Sequence, residues 1–284
     1  MRKMKCTTKD FTEADLPLTR KDMFFDCYKE QFSLILRVGL LCLLFLLPML
    51  LVLFFRDMYI IGALKTLEEQ TAENIQEVYM SANVVFGAME AVASVIFFVL
   101  FSGIAQVLRQ LCWGELIFFG DDFKNGLKDN GWRFAVVGIV LSAVGYFVGL
   151  MSSSSLFFVV FVMYAAVFVP IGIWILLQSL YYRLPWTKAI KNATLYLVRT
   201  LPVTILLLAC ITLPFWLVTT FVSLIAVRYM LLVILAVFYA VPVALAWILY
   251  ALKTFDECIN KKYFPEMYRK GLRPVDESAK ISEK

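Results

Sequence analysis

Between Phe134 and Tyr182 the chain reads FAVVGIVLSAVGYFVGLMSSSSLFFVVFVMYAAVFVPIGIWILLQSLYY, 49 residues without Asp, Glu, Lys, Arg or His. As one α-helix this stretch would be about 74 Å long, at about 1.5 Å per residue. The hydrocarbon core of a bilayer is only about 30 Å thick. The stretch must therefore fold back on itself, and the four serines Ser152–Ser155 provide the natural turn. It predicts a transmembrane helical hairpin.

The composition and the uncharged runs of the whole chain extend this prediction to an all-α polytopic membrane helical bundle. Hydrophobic residues make up 61% of the chain and charged residues 17%, against about 45–50% and 25% in soluble domains. Uncharged or nearly uncharged runs predict six transmembrane helices, at about 32–55, 84–108, 134–152, 156–182, 201–226 and 229–252. They form a single membrane domain over residues 1–284, with an N-terminal segment at 1–31 and a tail at 253–284. We expect the helices to be arranged as three helical hairpins.

The orientation follows from the positions of lysine and arginine. With six spans, 24 of the 27 basic residues fall on the side of the two termini. Only Arg56, Lys65 and Arg228 fall on the other side. Because basic residues accumulate in cytoplasmic connections, we expect a multi-pass protein of the cell membrane with both termini in the cytoplasm.

The connection at 57–83 has an apolar repeat at helical spacing with glutamates on the other faces. This pattern predicts an external amphipathic helix on the membrane or on the outer ends of the spans. The acidic face is typical of a solvated helix surface, and binding of a cationic ligand is the alternative. The apolar positions are Leu64, Leu67, Thr71, Ile75 and Val78, and the acidic ones Glu68, Glu69, Glu73 and Glu77.

Two segments, at about 121–130 and 187–198, share the pattern apolar, Lys, Asn, small in Phe123–Gly126 and Ile190–Ala193. They predict cytoplasmic interfacial helices with the apolar face toward the acyl chains and basic residues toward anionic headgroups. The residues expected at the lipid interface are Lys124, Lys128, Lys188, Lys191, Trp132 and Trp186.

The segments Gly114–Asn130, Trp186–Ala193 with Arg199–Pro202, and Phe255–Glu266 with Tyr268–Leu272 resemble the cytoplasmic parts of YesL-type proteins. That family consists of uncharacterised bacterial integral membrane proteins. The resemblance implies a bacterial membrane protein, often associated with carbohydrate uptake systems. It brings no catalytic residue to carry over.

The third predicted span has small residues at spacings of three and four, which form one continuous stripe. Such stripes let membrane helices approach closely. We expect a tight interface within the bundle or between protomers, and a narrow passage lined by small residues is the alternative. The stripe consists of Ala135, Gly138, Ser142, Gly145 and Gly149.

Glu90 and Arg37 are the ionisable residues well inside the spans, apart from tyrosines. Intramembrane charges are costly and are functional candidates, so Glu90 is a candidate for a substrate or proton path. Arg37, near the cytoplasmic end of its span, is interpreted as a snorkelling anchor.

Helix kinks are predicted near mid-membrane at three prolines, Pro170, Pro214 and Pro242. The kinks are structural, or they expose carbonyls to a ligand, as in transporters with broken helices.

Signatures of enzymes are missing from the sequence. It contains no histidine, no CxxC among its six cysteines and no phosphate-binding glycine loop. We therefore expect no catalytic activity, no metal, no cofactor and no nucleic-acid partner. The favoured hypothesis is a non-enzymatic accessory or scaffold beside a solute uptake system, with membrane lipids, a transporter complex or a second copy as partners. The alternative is a small secondary transporter or channel with its path near Glu90 and the kinked helices.

Overall fold

The computed structural model of the chain describes residues 16–67, 71–152 and 154–274. These residues form helices and their connections, with no strand among them. The first half consists of α1 (Arg20–Glu30), α2 (Phe32–Thr66), α3 (Ala72–Trp113) and α4 (Phe119–Leu150). The second half consists of α5 (Phe157–Met163), a π-helical turn (Tyr164–Phe168), α6 (Val169–Tyr181), α7 (Trp186–Phe221), α8 (Ile225–Phe238), α9 (Ala240–Phe255), a second π-helical turn (Asp256–Asn260), α10 (Lys261–Tyr263) and a 3-10 turn (Pro265–Met267).

Six helical segments in the described residues are long and apolar enough to cross a membrane, which confirms the predicted number of spans. They contain 25 to 42 residues each, so all exceed the 20 or so residues that a bilayer requires. Large apolar side chains cover much of their outer surface, as expected for helices that contact lipid. The segments are 32–66, 72–113, 119–150, 157–181, 186–221 and 225–263.

The most extensive helix packing is between α3 and α4. These helices belong to the first and second predicted hairpins, so packing is not confined within the hairpins. The contact is close because glycines face each other: a Cβ added at Gly126 would lie 2.9 Å from the Cα atom of Gly103 and 2.5 Å from the Cβ atom of Gln106. This crossing lies outside the stripe of small residues that the sequence indicated.

The prediction of a separate external amphipathic helix at 57–83 is wrong. Helix α2 continues to Thr66, and α3 begins at Ala72, capped by the Thr71 hydroxyl, which accepts a hydrogen bond from the Asn74 backbone N–H at 3.3 Å. The apolar repeat is therefore a continuation of two spanning helices, since nothing between 57 and 66 breaks the helix. The apolar and acidic positions lie on different faces of the helix, as predicted: Ile75 and Val78 are partly buried, and Glu73 and Glu77 are exposed. Glu68 and Glu69 lie outside the described residues.

The two segments predicted to be interfacial helices begin longer helices. Residues 121–130 are the start of α4, which runs without interruption. Residues 187–198 are the start of α7 and precede Thr200, where φ −115° and ψ 17° leave the helical region. The apolar face of this second segment is divided: Ala193 and Leu197 are buried in the protein core, whereas Ile190 is 48% exposed. Packing of α7 on α6 accounts for the buried part of that face.

The three prolines predicted to kink helices differ in effect. Pro170 is the second residue after the π-helical turn at Tyr164–Phe168, and Pro242 lies three residues after Tyr239, where α8 gives way to α9. Around Pro214 the backbone of α7 stays helical. The carbonyl that Pro214 leaves without its helical N–H partner, that of Cys210, accepts a hydrogen bond from Tyr239 Oη at 2.6 Å. The α8–α9 break thus satisfies the carbonyl freed in α7.

One end of the bundle gathers α1, the connections at 114–118 and 182–185, and residues 256–274; we call it the basic end. Arg20 and Asp256 form an ion pair of 2.9 Å there, with side chains only 8% and 9% exposed. Asn260 Nδ2 donates to the second oxygen of Asp256 at 2.8 Å. Arg20 also donates to the carbonyl of Lys270, at 2.9 Å. These contacts fasten the N-terminal helix and the tail to the spans.

Candidate functional site: a polar cavity around Arg56 and Glu90

Glu90 has a partner that the sequence did not indicate. Its Oε1 atom lies 3.3 Å from Nη1 of Arg56 on the neighbouring helix α2, and both side chains are about one quarter exposed, at 24% and 29%. Arg56 Nη2 donates to Asn83 Oδ1 at 2.7 Å, and Asn83 Nδ2 donates to Ser152 Oγ at 3.3 Å. A polar chain therefore connects α2, α3 and the connection after α4, near the end of the bundle opposite to the basic end.

The Arg56–Glu90 pair lines a cavity of about 440 Å³, which we call the polar cavity. Its walls come from α2, α3, α4, α5 and the start of α6. Among the lining side chains Ser142 stands out, because its Oγ atom is buried without a hydrogen-bond partner among the described residues. The other hydroxyl-bearing residues of the lining are Ser94, Tyr146, Ser152 and Tyr164.

The stripe of small residues on α4 is divided between packing and the cavity. A Cβ at Gly138 would meet the Phe98 side chain at 2.9 Å, so this glycine packs against α3 as the sequence predicted. Ser142, Gly145 and Gly149 line the polar cavity, and no described atom lies within 4 Å of a Cβ placed on Gly149. Ala135 is partly buried. The small side chains leave room for the cavity, and the narrow passage that was the alternative interpretation of the stripe stays a prediction.

An irregular helical segment forms one wall of the polar cavity. Tyr164, the first residue of the π-helical turn, donates from Oη to the carbonyl of Leu141 at 3.1 Å. The same Oη atom would lie 2.8 Å from a Cβ at Gly145. Single π-helical turns inside α-helices are frequent at functional sites. Beside the polar cavity, the π-helical turn and Pro170 interrupt the regular hydrogen bonding of the α-helix.

A second ion pair stands next to the first. Asp57 accepts from Arg228 Nη1 at 2.6 Å and from Tyr229 Oη at 3.2 Å. The two basic residues that the sequence placed on the outer side and next to spans, Arg56 and Arg228, thus each pair with a carboxylate. The sequence contained a signal for the Arg56–Glu90 pair, since both residues lie near the outer ends of consecutive spans.

Arg37 lies near the basic end and is not brought together with Glu90. Its side chain is exposed and lines a different cavity, with Cys27 and Glu30. Burial, with the carboxylates of Asp26 and Glu30, raises the pKa of the Cys27 thiol to about 11. This thiol is therefore protonated at neutral pH and a poor nucleophile.

The residues predicted at the lipid interface lie on the surface near the basic end. The four lysines, Lys124, Lys128, Lys188 and Lys191, are exposed. Trp132 is 72% exposed. Trp186 is partly buried, and the guanidinium of Arg133 lies over its ring at 5.9 Å from the centroid.

Comparison of the chain with protein-family models, with curated proteins and with solved structures finds no match. The resemblance to YesL-type proteins therefore stays a prediction. In the described part of the chain, no three Cys, Asp or Glu side chains are grouped so as to hold a metal ion. The fold and the site define a multi-pass membrane protein with a polar cavity between its helices.

Proposed function

We propose that the chain is a membrane transporter that binds a small polar solute in the polar cavity. The observation that carries this proposal is the Arg56–Glu90 pair, held between helices at the edge of a cavity of about 440 Å³. Charged side chains within a membrane are costly and usually mark substrate or ion pathways. A cavity of this volume is within the range of small-molecule sites.

The lining favours a neutral solute with several hydroxyl groups. Arg56 and Glu90 balance each other's charge, so a net ionic ligand gains little from the pair. The remaining polar groups are mainly hydroxyls and the Asn83 amide, which donate and accept alike. Ser142 Oγ has no hydrogen-bond partner among the described residues. A monosaccharide has the matching size and hydrogen-bonding groups, in keeping with the carbohydrate link that the family resemblance implies.

The segment α5–π turn–α6 is the element that we propose to move during transport. Its π-helical turn and Pro170 lack part of the regular hydrogen-bond ladder. Tyr164 connects it to α4 through one hydrogen bond to a carbonyl. Shifting this wall would open or close the polar cavity, as hinge and shear motions do in other proteins.

We further propose that the basic end faces the cytoplasm of the cell that carries the protein in its membrane, with the polar cavity toward the outside. The bias of 24 of 27 basic residues supports this orientation. Both termini are then cytoplasmic.

An accessory subunit that binds a solute without moving it is the second candidate. The observation in its favour is an apolar cavity of about 280 Å³ that adjoins the polar cavity through Phe98, Leu141 and Val169. It extends toward the basic end, where Phe134 and Leu180 line it. A hydrophilic solute would have to cross this apolar region, which is either a closed gate or the end of the path.

Transport by the purified chain separates the two candidates. We expect proteoliposomes containing only this protein to take up radiolabelled glucose or another monosaccharide of a small panel above the level of empty liposomes. Glu90→Gln should reduce uptake about tenfold, because it removes a charge-assisted hydrogen bond at the cavity. Glu77→Gln, an exposed position on the same helix, is the matched control and should leave uptake unchanged.

Binding of a sugar without uptake would favour the accessory role over transport. Neither binding nor uptake of any sugar of the panel would contradict the proposed site, as would equal loss of uptake in Glu90→Gln and Glu77→Gln.

A further inference from the structure

A second polar cavity, of about 560 Å³, lies near the basic end between α3, α4 and the end of α6. We call it the basic cavity. Four basic side chains and one carboxylate, that of Asp129, line it among the described residues. The basic ones are Arg109, Lys128, Arg133 and Arg183. The cavity therefore carries an excess of positive charge, unlike the balanced polar cavity at the opposite end.

Of the five lining polar side chains that are more than nine-tenths buried, Ser179 and Tyr182 form hydrogen bonds within the protein; the other three are Gln106, Asn130 and Tyr181. None of these three forms a side-chain hydrogen bond to another described residue, and Tyr181 Oη is buried outright without a partner. Leaving a buried polar group unpaired is unfavourable. Gln106 and Asn130 therefore present unused hydrogen-bonding groups to the cavity, and the Tyr181 hydroxyl beside it has no partner among the described residues.

Two of the guanidinium groups are held in place by contacts within the protein. Arg109 donates through Nη1 to the carbonyl of Leu180 at 2.7 Å and lies over the Trp113 ring, 4.7 Å from its centroid. Arg133 donates through Nη2 to the carbonyl of Leu184 at 2.7 Å. Each group has further N–H donors beyond these bonds, and Arg109 Nε is buried without a partner. Orientation of the guanidinium groups in advance reduces the entropic cost of binding a ligand.

The other two basic residues, Lys128 and Arg183, are exposed. Arg183 Nη2 lies 3.8 Å from the Asp129 carboxylate, which is a long distance for an ion pair, and the Arg183 side chain is 91% exposed. Their charges are thus free to meet an anion that enters from the surface.

We infer that the basic cavity binds a phosphate group. A phosphate presents several strong acceptor oxygens and negative charge, which match guanidinium, ammonium, amide and phenol donors. Two sources have this chemistry, the headgroup of an anionic phospholipid and a soluble phosphate compound. Basic pockets between membrane helices do bind lipid headgroups, and the bond-donating side chains named above suit either source. This site is independent of the solute site proposed at Arg56 and Glu90.

The test measures the thermal unfolding of the delipidated, detergent-purified chain with two probes. One is inorganic phosphate, compared with chloride at equal ionic strength; the other is dioleoyl phosphatidylglycerol, compared with dioleoyl phosphatidylcholine. We expect one of the two to raise the unfolding temperature with a saturable dependence on concentration. The Lys128→Gln/Arg183→Gln double variant should weaken the apparent affinity about tenfold or more, since charge-assisted hydrogen bonds are the strong ones.

Two control variants separate the site from general effects of charge and burial. Lys124→Gln/Lys191→Gln removes the same charge from exposed positions outside the basic cavity and should bind the probe like the wild type. Tyr181→Phe should weaken binding several-fold. Tyr196→Phe removes another buried hydroxyl without a partner, outside the cavity, and should not.

Stabilisation by phosphate assigns the site to a soluble compound, and stabilisation by phosphatidylglycerol alone assigns it to a lipid. The inference is overturned if neither probe stabilises the wild type. Equal loss of affinity in the cavity and control double variants would overturn it as well, because the attraction would then be a property of the whole surface.

Discussion

Gly39→Leu should prevent stable assembly of the bundle. Gly39 lies on α2 where this helix meets the backbone of α8, and a Cβ there would be only 2.2 Å from the carbonyl oxygen of Val237 and 3.1 Å from its carbonyl carbon. The obstacle is main chain in a helix, so it cannot be avoided by rotating a side chain. Overpacking a core commonly costs about 1–3 kcal/mol, and we expect a larger loss here because two helices must separate.

The measurement is the monodisperse yield and the unfolding temperature of the variant in detergent. Gly62→Leu on the same helix is the matched control, because no described atom lies within 4 Å of a Cβ at Gly62. It should behave like the wild type. A Gly39→Leu protein with wild-type yield and unfolding temperature would mean that α2 and α8 do not pack in this way.

Arg20→Met should destabilise the basic end by about 3–5 kcal/mol, the cost of breaking a buried ion pair on one side. Arg20 and Asp256 are both nearly inaccessible, at 8% and 9% exposure, and 2.9 Å apart. Among the described residues, removal of the arginine leaves a buried carboxylate with only Asn260 and the Arg269 backbone N–H as donors. We expect α1 and the tail to detach, which hydrogen exchange in these segments would detect as faster exchange.

The neighbouring acid provides the comparison. Glu257 pairs with Arg199 at 3.5 Å, but these side chains are 52% and 57% exposed. Exposed pairs contribute about 0–1 kcal/mol, so Arg199→Met should change little. The double variant Arg20→Met/Asp256→Leu should recover much of the loss, since it removes the unpaired charge. Equal effects of Arg20→Met and Arg199→Met would contradict the buried position of the first pair.

The spans were predictable from the sequence because membrane helices have a strong signal in length and hydrophobicity. The uncharged run from Phe134 to Tyr182 alone required two helices, and the structure has turn residues at 151–152 and 154–156 between them. The ends of the helices were less predictable. Nothing in the pattern of 57–66 distinguishes a surface helix from a spanning helix that continues beyond the membrane, and the structure has the latter.

The polar cavity could be predicted in part. A lone glutamate at Glu90 and the small residues of α4 were both visible, but their convergence on one cavity depends on how α3 and α4 cross. That crossing depends on Gly103 and Gly126, which are distant in the sequence. Single residues that belong to no periodic pattern give no indication that they are in contact. The basic cavity was hidden for a related reason. Its basic residues had already been explained by membrane orientation, and unpaired buried groups become visible only with the packing.

The most direct test of the central claim is the reactivity of a cysteine placed in the polar cavity. In a chain whose native cysteines are replaced by alanine, Ala91→Cys lines the cavity, and Val92→Cys, one residue further on α3, is 63% exposed on the outer surface of the bundle. A charged, membrane-impermeant thiol reagent added outside intact cells should label Ala91→Cys and not Val92→Cys, because water fills the cavity and lipid covers the surface. Labelling of both positions alike, or of neither, would contradict a polar cavity that opens to the outside of the membrane.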